Sequence, residues 1–117
     1  MGSVAMLYKI IRVNRLYILP KKCKGVAIGC FVFIQKDSDN ALLQHELVHV
    51  RQFWRNPLMP LLYLFSKRKR YQYEIEAYRE SIRYGRKPIE CAYSIVNNYG
   101  LKVLAGDTLA DLIKKDE

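Results

Sequence analysis

The chain has 117 residues, half of them hydrophobic, with 20 lysines and arginines against 11 acids and a net charge of +9. That length suits a single domain over 1–117 with a real core but no deep multi-lobed cleft. The hydrophobic fraction excludes a disordered chain, and the absence of any apolar run of roughly 18 residues excludes an ordinary spanning helix.

Met1 to Met6 lack the charged-then-apolar order of a secretory signal. Cys23, Cys30 and Cys91 are odd in number, form no C-x-x-C and read as reduced thiols of a cytoplasmic protein. Residues 6–19, rich in Leu, Ile, Tyr and Val, predict two short strands broken near Asn14-Arg15. Pro20-Lys21-Lys22 makes a loop. Val26 to Gln35 is β-branched and aromatic almost throughout and predicts a central strand, with Gly25 and Gly29 marking a turn and a bulge or close approach. Lys36 to Asn40 is polar and holds helix caps. A helix then runs from about Asn40 to Trp54 and ends before Pro57.

The segment 57–65, PLMPLLYLF, is strongly apolar and runs into Lys67-Arg68-Lys69-Arg70. It is too short to span a bilayer. Two readings fit: a buried short helix, or an interfacial element whose basic flank makes a peripheral membrane contact through 57–70. Tyr71 to Tyr84 predicts a second long helix with Tyr71, Ile75, Tyr78 and Ile82 on its core face. Pro88 opens a third helix reaching about Asn98, and a last one begins near Asp107-Thr108 with a capping pattern. The expected fold class is therefore α+β: a small N-terminal β-sheet of about three strands, then an active-site helix, a glutamate helix and one or two C-terminal helices.

The chain has two histidines, and both lie in the stretch His45-Glu46-Leu47-Val48-His49, which reads H-E-x-x-H. Shuffling this composition produces that pattern about once in a thousand arrangements. Positions i and i+4 share a helix face, so both imidazoles can meet one metal ion, and neutral imidazole suits Zn²⁺. Leu43, Leu47, Val50 and Trp54 already supply an apolar stripe, so packing does not account for the histidines. Glu46 points beside the metal and can take a proton from the water it activates. A third protein ligand is needed, and with no further histidine an acid must serve. Glu74 and Glu76 sit on the second long helix. Glu74 lies roughly 70° from the middle of the core stripe and Glu76 roughly 130°. Glu74 also shares its side with Ala77 and Ser81, whose small side chains permit close helix approach. Glu74 is thus the preferred third ligand and Glu76 the alternative.

H-E-L-V-H at 45–49 followed by E-I-E-A-Y at 74–78 resembles the gluzincin class of zinc metallopeptidases, in which a glutamate on a following helix completes the site. The chain's length is similar to that of minimal single-domain members. The resemblance implies Zn²⁺ on His45, His49 and Glu74, Glu46 as general base, and a peptide or protein substrate laid along a strand edge above the metal helix. Position 78, often an Asp that orients a histidine in that class, is Tyr here. Tyr73, Tyr78, Tyr84, Tyr93 and Arg51 are candidate oxyanion donors. The competing expectation is a non-catalytic basic binding or adaptor protein with a metal-site-like core, acting on a membrane surface, nucleic acid or an acidic protein. Nucleic acid is the least expected of these, since no DNA- or RNA-binding motif is present. The sequence leaves the oligomeric state open.

Overall fold

The computed structural model describes residues 7–14 and 24–114. Strands β1 (Lys9–Val13), β2 (Gly25–Ile28) and β3 (Phe31–Gln35) form one sheet in the order β1-β3-β2. β1 runs parallel to β3 with Lys9 opposite Phe31, and β2 runs antiparallel to it with Ile28 opposite Phe31. The central strand expected over Val26–Gln35 is therefore two strands, broken at Gly29-Cys30. Gly29 has φ +59°, the left-handed conformation that the first residue of a two-residue hairpin loop requires. The first of the strands expected in 6–19 is β1; the second, and Cys23, lie outside the described residues.

Five helices follow: α1 (Asn40–Arg55), α2 (Met59–Phe65), α3 (Lys67–Arg83), α4 (Pro88–Asn98) and α5 (Ala105–Ile113). Asp39 caps α1 by accepting from the Leu42 N–H at 2.9 Å. Pro57 and the extended Asn56 stop it. Helix α3 begins four residues earlier than the periodicity suggests, because Ser66 Oγ accepts from Lys69 N–H and caps it there. Thr108 does not cap α5: it lies inside the helix, fully buried, donating to the Leu104 carbonyl.

Two apolar clusters hold these layers. Val32 and Ile34, on alternate positions of β3, pack against Leu47 and Val50 of α1. Each such fully buried side chain contributes about 1.5–3 kcal/mol of transfer free energy. Ile75 and Tyr78 of α3 pack against Cys91, Ala92 and Ile95 of α4 and Leu112 of α5, with Tyr71 and Ile82 at the margin. The expected α1 stripe is buried in its middle, whereas Trp54 at its end is exposed and donates its indole N–H to the Leu7 carbonyl. Helix α1 thus lies between the sheet and α3. Ala77 and Ser81 have no exposed surface, and Ser81 Oγ donates to the Ala41 carbonyl at 3.1 Å. Those small side chains bring the two helices close enough for their polar residues to meet.

Candidate metal centre

The face of α1 that turns from the sheet toward α3 carries His45, His49 and Gln52, and all three are buried. Glu74 of α3, 1% exposed, projects between the histidines. Its Oε1 lies 3.2 Å from Nε2 of His45 and 3.2 Å from Nε2 of His49. These three ligand atoms all lie within 4.8 Å of one another. Tetrahedral coordination at zinc bond lengths puts ligand atoms about 3.3 Å apart, so both histidine–carboxylate spacings suit a single ion. His45, His49 and Glu74 are positioned to bind a metal ion.

The hydrogen bonds around the triad decide which atoms are available. Gln52 Nε2 donates to the Tyr73 carbonyl at 2.9 Å and to Glu76 Oε1 at 2.8 Å, which turns Gln52 Oε1 toward His49 Nδ1 at 2.8 Å. His49 must therefore carry a proton on Nδ1, leaving Nε2 as the atom that holds either a second proton or a metal. Glu74 Oε2 accepts from the Tyr63 hydroxyl of α2. One carboxylate oxygen is thereby anchored and the other is left to the histidines. His45 has no equivalent support. Its Nδ1 is buried with no hydrogen-bond partner among the described residues, and its ring lies edge-on to Tyr78, with centroids 4.2 Å apart. The aromatic residue at position 78 fills the space without offering an acceptor.

The charges respond to this burial. For His49, burial alone would depress the pKa, but the Glu74 carboxylate outweighs it and the value is pushed up to about 9. For Glu74, burial alone would raise the pKa, but His49 and the hydrogen bonds from both histidines hold it well below the usual carboxylate range. Glu46 responds differently: burial, only partly offset by the two histidines, raises its carboxyl above the ordinary value. The Ala27 backbone of β2 works the other way, with a smaller lowering effect.

Glu46 and His45 line a cleft of about 590 Å³ that also includes Lys24, Gly25, Tyr78, Arg86 and Tyr99. A Cβ on Gly25 would meet Glu46 Cγ at 3.4 Å, an ordinary contact, so β2 runs directly beside the carboxylate.

The sequence-predicted residues separate cleanly in space. Glu74, not Glu76, reaches the histidines. Glu76 is held by Gln52 and by Arg55 at 2.6 Å, outside the triad. Tyr78 borders the cleft and its hydroxyl pairs with that of Tyr99 at 2.8 Å. Tyr73 contributes its backbone carbonyl to Gln52. Tyr84 is exposed at the end of α3, about 15 Å along the helix from Glu74. Neither Tyr73 nor Tyr84 is among the residues lining the cleft. Gln52, Tyr63 and Tyr99 are the residues that sequence reasoning missed. Gln52 had a signal, since it stands three positions after His49 on the same face. Tyr63 and Tyr99 come from separate elements and had none. Comparison with protein families, curated proteins and solved structures found no match to this chain.

Proposed function

We propose that this chain is a zinc metallopeptidase of the gluzincin type. The observation that carries the reading is the meeting of two histidine Nε2 atoms with Glu74 Oε1 beside a buried glutamate that faces a cleft. Two imidazoles and one carboxylate are a donor set common to catalytic zinc sites. A bound zinc ion would acidify water toward neutrality and polarise a scissile carbonyl. The chain's own residues supply the remaining steps. Glu46, its pKa raised by burial, takes the proton of the attacking water and returns it to the leaving amine. The Tyr78–Tyr99 pair has two hydroxyl protons and uses one in its mutual bond, so one remains to stabilise negative charge on the carbonyl oxygen. Tyr78 is the better placed, because its ring borders His45. Extended peptide would add along the outer edge of β2, a terminal strand of the described sheet that runs beside Glu46.

The test has two parts. Protein purified without chelator should hold about one zinc per chain. Glu46→Gln should keep that zinc while peptide hydrolysis falls to background. A zinc-free wild type that takes up none on titration refutes the centre. Undiminished hydrolysis by Glu46→Gln refutes the mechanism.

A further inference from the structure

Helix α2 has two faces with different partners. Met59 is buried and Tyr63 reaches Glu74, whereas Leu58, Leu61, Leu64 and Phe65 are 60%, 55%, 62% and 83% exposed. At about 100° per residue the four exposed side chains cover an arc of roughly 120°, centred about 180° from the midpoint of Met59 and Tyr63. The helix therefore presents a continuous apolar stripe to solvent, directly opposite the face that holds the metal carboxylate. Single exposed leucines are ordinary, but four large apolar side chains on one arc of so short a helix are not.

The residues that follow give this stripe a charge. Lys67, Arg68 and Lys69 form the first turn of α3, all three are exposed, and no acid accompanies them. Cations at a helix N-terminus oppose the helix dipole, so local stability does not explain them there. Arg70 has another task. Its guanidinium donates to the carbonyls of Tyr63, Leu64 and Tyr99, fastening the end of α2 to α3 and to the end of α4. The apolar stripe is thus fastened next to three exposed cations on a chain of net charge +9.

We propose that this face, Leu58 to Lys69, docks on an anionic lipid surface. The leucines and Phe65 enter the headgroup–acyl boundary, and Lys67, Arg68 and Lys69 sit among the acidic headgroups. An anionic surface also offsets the unfavourable dipole at the start of α3. The surface is separate from the cleft, so the inference stands whether or not the chain hydrolyses peptides.

Flotation of the full chain with phosphatidylcholine vesicles, with and without phosphatidylserine, tests it. The wild type should float with the phosphatidylserine vesicles and remain below with the neutral ones. Replacing Lys67, Arg68 and Lys69 together by Ala should weaken partitioning by about a hundredfold, at roughly fivefold per charge. Leu61→Gln with Leu64→Gln should weaken it by about tenfold or more, through lost apolar burial. Both variants should keep wild-type zinc uptake, since the side chains changed are exposed; the leucine variant should keep the wild-type thermal midpoint and the alanine variant should match or exceed it, because cations that oppose the α3 dipole are gone. Absence of wild-type flotation overturns the proposal. So does equal binding by the leucine variant, which would reduce the effect to general attraction of a basic protein. A wild-type dimer in sedimentation that the leucine variant dissolves would show a second copy on this face, and would overturn it too.

Discussion

Replacing Gln52 with Met separates the arrangement of the site from its ligands. Methionine keeps the volume and the buried position but removes the acceptor for His49 Nδ1. Above pH 9, where His49 is neutral, the imidazole is then free to place its single proton on Nε2, where Glu74 Oε1 waits 3.2 Å away. Metal uptake must return that proton to an Nδ1 that is buried and unpartnered, at a cost of about 1–3 kcal/mol. The apparent zinc affinity measured at that pH should therefore fall by about 5- to 150-fold. The change also removes the side-chain donor to the Tyr73 carbonyl, while Glu76 keeps Arg55, so a stability loss of about 1–2 kcal/mol should accompany it. Gln52→Glu provides the contrast. It restores an acceptor for Nδ1 but loses the donors to Tyr73 and sets a carboxylate against Glu76. That variant should bind zinc at least as tightly as the wild type yet unfold more easily. Chelator competition reads the affinity and thermal denaturation the stability. If Gln52→Met binds zinc within twofold of the wild type, the hydrogen bond to His49 does not prepare the ligand and the reasoning is wrong.

Three further outcomes follow from the geometry. Tyr63→Phe should lower zinc affinity by about 10- to 100-fold, because Glu74 Oε2 loses its anchor; unchanged competition curves would remove Tyr63 from the site. Glu74→Gln should abolish stoichiometric zinc binding, whereas Glu76→Gln should leave it intact and cost only about 0.2–1 kcal/mol, since its pair with Arg55 is partly exposed. The reverse pattern would reassign the third ligand. In metal-free protein the folded pKa of His49, about 9, lies above its ordinary 6.5. Its stabilising contribution is therefore complete below pH 6.5 and is lost as the pH rises through 9. The thermal midpoint of the metal-free form should fall across that window, and zinc-loaded protein should not follow it; parallel curves would show that proton and metal do not compete for His49.

Much of the centre was written into local spacing. Two histidines four positions apart share a face of any helix, and the absence of a third required an acid as the remaining ligand. The choice between Glu74 and Glu76 was legible too, because small residues at 77 and 81 mark the side of α3 that a neighbouring helix can approach. The α+β order of a small sheet followed by helices was equally readable from pattern and punctuation. The division of Val26–Gln35 at Gly29 was not, since a continuous apolar run hides a tight hairpin that only its pairing partners reveal.

Periodicity relates residues within one element and says nothing of how separate elements meet. For that reason Tyr63 read as part of an apolar run until α2 folded back and set its hydroxyl on Glu74. Tyr99 came to Tyr78 only through the packing of α4 on α3. The amino-acid order alone determined the residue types of the candidate centre, the helix that carries two of them and the class of fold. Tertiary packing decided which groups hold those ligands, which tyrosines border the cleft, and that half of the apolar segment faces outward. These depend on distances between elements far apart in the chain, and no local spacing encodes them.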